Sequence, residues 1–121
     1  MTGQKLFRFE DLTIWQSAIV VGDELYDIAD LLEAKRLYRF AEQLRGAGMS
    51  ISNNIAEGTG TASTNEFRQF LNYARRSCYE CANILVVIQR RNQIDEEIKQ
   101  RLFVELANLS RKIYNFQQTL R

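Results

Sequence analysis

Residues 66–88, EFRQFLNYARRSCYECANILVVI, decide how this chain folds. Within them Phe67, Leu71, Ala74, Cys78, Cys81, Leu85 and Ile88 alternate steps of four and three, which lines one face of an α-helix as a heptad seam. Ser63 followed by Glu66 makes a capping box just upstream, so a helix is expected over residues 64–91. Downstream, Asp95 can cap a helix over residues 95–120, with Glu96 and Glu97 in the first turn where the helix dipole favours acids. Its seam is Leu102, Leu106, Leu109, Ile113, Phe116 and Leu120. Upstream, residues 36–57 place Leu37, Phe40, Leu44, Ala47, Ile51 and Ile55 inward, with Gly58 as the C-terminal cap.

The first helix is expected over residues 11–32, with Leu12, Trp15, Ile19, Gly22, Tyr26 and Ala29 as its buried seam. Four helices with short connections make an all-α antiparallel up-down-up-down four-helix bundle the economical fold, as one domain over residues 1–121. The chain has no Pro and only six Gly, which favours long helices over strands. Beside the first seam Ile14, Val21 and Ile28 recur every seven residues, with Ala18, Leu25 and Leu32 between, widening the apolar arc to roughly 200°. One intramolecular face absorbs little more than about 100°. Ile14, Val21 and Ile28 are therefore expected to pack against a second copy, making the protein a homo-oligomer.

Charge is near balance overall, with sixteen basic and fifteen acidic residues, so the total encodes no strong pull toward nucleic acid or an anionic membrane. Its distribution is lopsided. Residues 10–33 hold seven acids and no Lys or Arg, while the remainder holds every basic residue. Either a solvated acidic face pairs with neighbouring helices or the charges pair between subunits. The longest apolar run, residues 84–88, is far shorter than the roughly 20 residues that cross a bilayer. The N-terminal residues lack the pattern of a secretory signal, so a soluble protein of the cytoplasm is expected, with both cysteines reduced.

The segment 50–58, SISNNIAEG, sets poor helix formers inside a helical chain. Ser, Asn and Gly cost roughly 0.5–1 kcal/mol each against Ala, so tertiary or quaternary contacts must offset about 2 kcal/mol. Ser50, Asn54 and Glu57 form the candidate structural polar site. Asn54 is expected to be buried and bonded to a neighbouring helix, and Glu57 to be compensated by an Arg such as Arg75 or Arg76. Gly46 and Gly48 are expected to let helices approach closely.

No residue set argues for catalysis. Cys78 and Cys81 match a bare Cys-x-x-Cys pattern, but they sit mid-helix on the seam with no third Cys and no His, so a small-residue core role is expected rather than redox or metal chemistry. The missing His also removes the commonest general base. No cofactor, metal or small-molecule substrate is expected. Gly58-Thr-Gly-Thr lacks the strand and Lys of a phosphate loop and reads as an interhelical connection. Among the basic doublets, Arg75 with Arg76 and Arg90 with Arg91 are candidate nucleic-acid contacts, with Tyr73 and Tyr79 close enough in sequence to stack on bases. Solvated helix faces produce such doublets routinely.

Taken together, Phe9-Glu10-Asp11-Leu12 with Trp15-Gln16, Leu44-Arg45, Ser50-Ile51, Asn54-Ile55-Ala56-Glu57-Gly58, Phe70-Leu71, Ala74 and Ser77 resemble the bacterial four-helix bundle proteins first noticed in intervening sequences of 23S rRNA genes. The resemblance spans nearly the whole chain. It implies a ring-shaped homopentamer without enzymatic activity, and kinship to the accessory protein of diversity-generating retroelements, which works with nucleic acid. Two features depart from that pattern: Ser52 replaces a Pro often found in the Ser-Ile block, and the charge is near neutral where the retroelement relatives are strongly basic. The expected function is a non-catalytic homo-oligomeric interaction or scaffold module; the alternative is an accessory protein that binds RNA or DNA through Arg doublets gathered by oligomerisation.

Overall fold

The computed structural model describes residues 3–121. Four helices, α1 (Thr13–Ala34), α2 (Tyr38–Thr59), α3 (Thr64–Arg90) and α4 (Glu96–Thr119), follow a single turn of 3-10 helix at Arg8–Asp11. There is no strand among the described residues. Cross-helix contacts give the register. Asp30 meets Arg45, Gly58 meets Phe67 while Ser50 meets Ser77, Arg68 reaches Leu120 while Arg75 meets Tyr114, and Glu24 meets Arg101. In the pairs of α2 with α3 and α3 with α4, one residue number rises as its partner's falls, so these neighbours run antiparallel. The short connections impose the same on α1 and α2. The α1–α4 contact closing the bundle is the thinnest of the four.

Local chemistry sets most helix ends. Ser63 Oγ accepts from the Glu66 amide at 3.1 Å and Asp95 Oδ1 accepts from the Ile98 amide at 2.8 Å, so the expected caps of α3 and α4 are present. The other ends shift by one or two residues for identifiable reasons. Asp11 does not cap α1, because its carboxylate meets Lys5 Nζ at 2.8 Å and the helix starts at Thr13. The helix α1 closes through Arg36 at φ 65°, with the Arg36 amide donating to Glu33 O at 2.8 Å and the Leu37 amide to Leu32 O at 2.9 Å. Asn92, at φ 61°, ends α3 in the same way. Gly58 is not a cap: α2 continues through it to Thr59, and a Cβ there would stand 2.7 Å from Phe67 Cδ1. It is a close-approach point between α2 and α3.

The core is apolar from end to end, with Leu25, Leu44, Ile51, Ile55, Leu71, Leu85, Ile88, Leu102 and Ile113 fully buried. At roughly 1.5–3 kcal/mol per buried Leu or Ile, this packing rather than helix propensity holds the bundle. The expected orientation of α1 is corrected here. Ile14, Val21 and Ile28 are 5%, 6% and 7% exposed and lie in the chain's own core with Ala18, Leu25 and Leu32, so they cannot be an intersubunit face. Ile19, assigned to the core, is 38% exposed. The helix turns its branched side chains to the bundle axis, and the small residues Gly22 and Ala29 sit buried on the flank, where Gly48 of α2 lies against Leu25 and Tyr26. Gly46 faces open space and carries no such contact.

Candidate functional site

The SISNNIAEG segment resolves into a short polar seam between α2 and α3. Asn54 Nδ2 donates to Ser50 O at 2.8 Å and Ser50 Oγ at 2.9 Å, and the Ser77 hydroxyl lies 2.9 Å from Ser50 Oγ and 3.1 Å from Tyr73 O. The cross-helix link thus comes from Ser50 and Ser77. Asn54, half-buried, bonds back along its own helix, which corrects the expectation of a bond to its neighbour. With its amide nitrogen held by the Ser50 carbonyl and hydroxyl one turn back, the short Asn54 side chain does not extend across to α3. Glu57 lies apart from this cluster: it is exposed and forms no ion pair among the described residues.

Cys78 and Cys81 are free and buried, and burial pushes each thiol up to about 12. Neither supplies a thiolate at neutral pH, which removes the nucleophile that redox exchange needs. No group of three or more potential metal ligands occurs among the described residues.

The largest change to the expected site concerns the arginines. Arg75 and Arg76 are adjacent yet point to different grooves, because successive helical residues are 100° apart. Arg75 lies over the Tyr114 ring at 4.8 Å, and its Nε is buried without a hydrogen-bond partner among the described residues. It stands on the rim of a groove of about 370 Å³ between α3 and α4, floored by Cys78, Ala82, Phe103 and Leu106 and edged by Arg111. Arg76 instead borders the Ser50–Asn54–Ser77 seam with Glu80. Arg90 and Arg91 lie at the far end of α3, about 22 Å from Arg75 at 1.5 Å per residue. One chain does not gather the four arginines.

Part of the acidic stretch is neutralised within the chain. Arg45 reaches Asp30 at 2.6 Å and Glu33 at 2.8 Å, and Arg101 reaches Glu24 at 3.1 Å. Asp23 and Asp27 form no ion pair among the described residues. A carboxyl pair that sequence spacing does not disclose sits at the α1–α4 contact. Glu24 Oε2 and Glu105 Oε2 are both buried with no hydrogen-bond partner among the described residues. The hydrogen bond that Glu105 can donate to Glu24 once it carries a proton, followed by burial and Glu24's charge, raises Glu105 to about 7 against the opposing pull of Arg101. Only the visible i, i+4 pairing of Arg101 with Glu105 hinted at a charged cluster there.

No curated protein shows significant similarity to the chain. Among solved structures, one of a Bacteroides thetaiotaomicron VPI-5482 protein, described as of unknown function and from the S23 ribosomal protein family, superposes with a TM-score of 0.82 at 18% identity, covering 88% of this chain and 100% of that one. At that identity the likeness establishes the four-helix fold. The family model described as "23S rRNA-intervening sequence protein" matches residues 10–115, and with the fold in agreement the chain belongs to the 23S rRNA-intervening sequence protein family.

Proposed function

We propose that this protein is a non-catalytic scaffold that works by associating with copies of itself. The observation that carries this reading is the α3–α4 groove: an apolar floor rimmed by Arg75 and Arg111, neither with a carboxylate partner among the described residues. Exposed Tyr79 and Tyr114 at its edge supply the large, rigid contact area that interfaces favour. The homo-oligomer no longer rests on Ile14, Val21 and Ile28. A ring of five copies is the stoichiometry that the resemblance implies. Two buried, protonated thiols and a chain without His support a role other than catalysis. Reduced cysteines accord with work in the cytoplasm, and no described helix is long and apolar enough to cross a membrane.

A second reading, binding of RNA or DNA, is favoured by the same pairing of Arg75 and Arg111 with exposed tyrosines. One experiment separates the two: light scattering on purified protein at low and high salt, with the absorbance ratio recorded. A multimer free of nucleic acid at both salts supports the scaffold. A monomer at tens of micromolar refutes it, and nucleic acid stripped by salt favours the second reading.

A further inference from the structure

The α3–α4 groove and the outer face of α1 are complementary in length, polarity and charge. On α1, Val20, Asp23, Asp27 and Leu31 follow at steps of three, four and four and so form one stripe opposite the buried side of the helix. Val20 and Leu31 are 60% and 61% exposed, large apolar side chains with no core to fill, and between them stand the two aspartates that lack ion-pair partners among the described residues. The stripe is an apolar–acid–acid–apolar ridge. The groove offers an apolar floor with Arg75 and Arg111 on its rim, both toward its Tyr114 end. From Val20 to Leu31, and from Phe103 to Tyr114 along the α4 wall, the span is the same and corresponds to about 16 Å at 1.5 Å per residue.

We propose that the outer face of α1 in one copy of this chain docks into the α3–α4 groove of another copy, seating Val20 and Leu31 on the apolar floor and setting Asp23 and Asp27 against Arg75 and Arg111. This inference rests on the self-association reading and names its surfaces. Arg75, which forms no ion pair among the described residues, then gains a carboxylate partner for its guanidinium as a charge-assisted contact. Because the two surfaces lie on different parts of the molecule, the contact is heterologous, and successive copies close into a ring or extend as a filament according to the rotation between them. Each copy uses both surfaces, so the lopsided charge of the chain becomes an assembly code: acids on α1, cations on the α3–α4 rim.

Charge reversal tests the docking. Three full-length proteins are compared with the parent by light scattering and sedimentation at low and moderate salt: D23R/D27R, R75E/R111E, and the chain carrying all four changes. Circular dichroism establishes that each is folded. Because Arg75 also packs on Tyr114, the exposed single variant Arg111→Glu accompanies the groove pair and stands in for it if that protein does not fold. The expected result is an assembled parent, self-association weakened at least about tenfold in each one-sided variant, and recovery in the fourfold variant, where the pairing is restored with inverted sign. One-sided variants that assemble like the parent, or a folded fourfold variant that stays dissociated, overturn the docking while leaving self-association standing. A monomeric parent overturns both. Loss of co-purifying nucleic acid in the groove variants with no change in protein mass overturns the docking and assigns the groove to nucleic acid.

Discussion

Replacing Gly58 by Ala separates two roles that a glycine near a helix end can have. As a simple helical residue it costs about 1 kcal/mol against Ala, so the substitution alone stabilises by that amount. The structure demands the opposite sign. The new Cβ would lie 2.7 Å from Phe67 Cδ1, 3.0 Å from Phe67 Cε1 and 3.1 Å from Phe70 Cβ. None of these is the free end of a flexible chain. Phe67 is 4% exposed, with its ring edge-on to Phe116 at 5.8 Å and Arg8 over it at 5.2 Å, and Phe70 Cβ moves only with the backbone of α3. Overpacking costs typically about 1–3 kcal/mol, and a 2.7 Å approach to a locked ring belongs at the upper end, about 2–3 kcal/mol, against a propensity gain of about 1 kcal/mol. The expected outcome is a net loss of about 1–2 kcal/mol, read as a lower urea midpoint at unchanged slope. Gly46→Ala is the matched control, since its Cβ meets nothing within 4 Å on the same helix, and it should gain up to about 1 kcal/mol. A Gly58→Ala protein as stable as the parent, or indistinguishable from Gly46→Ala, would refute the close-approach reading.

Other outcomes follow from the same geometry. Arg36 holds φ 65° without being glycine, so Arg36→Gly should raise the melting temperature through a gain of about 0.5–1 kcal/mol, the relief of left-handed strain outweighing added unfolded-state entropy; a lower melting temperature contradicts this. For Glu105, raised to about 7, the native state holds the extra proton between its ordinary value near 4.5 and about 7, so stability falls as pH rises through that window and levels off above it. With the two side chains 31% and 35% exposed, solvent screening reduces the effect to about 1 kcal/mol; melts from pH 4.5 to 8.5 should show that decline, and Glu105→Gln should flatten it. Ser77→Ala removes the hydroxyl facing Ser50 and should cost about 1 kcal/mol by urea titration with the helical signal intact. The thiols of Cys78 and Cys81, raised to about 12 by burial, should react with an aromatic disulfide reagent at neutral pH only as fast as the chain opens; immediate labelling of the folded protein refutes their core placement.

Where an element's cause lies within a few residues of it, the sequence carried the information. The heptad spacing of Phe67 through Ile88 and the caps at Ser63 and Asp95 depend on neighbours along the chain, and the helices they specify are present within one or two residues. The seam of α4, the core role of both cysteines and the four-helix count were legible for the same reason. The family block at residues 50–58 was visible too, although its physical purpose was not.

What only the tertiary structure decided is which way each helix faces. An apolar arc of roughly 200° on α1 is consistent with more than one rotation, and the choice that buried Ile14, Val21 and Ile28 while leaving Val20 and Leu31 outside was made by packing against α2 and α4. Gly58 looked like a cap because its partners, Phe67 and Phe70, lie on the next helix, and Ser50 found Ser77 across the same contact. Glu24 and Glu105 are eighty-one positions apart and meet because α1 and α4 close the bundle. Spacing along a chain specifies local hydrogen bonding and periodicity, while rotation and cross-helix partnership follow from the shared minimum of packing all four helices at once.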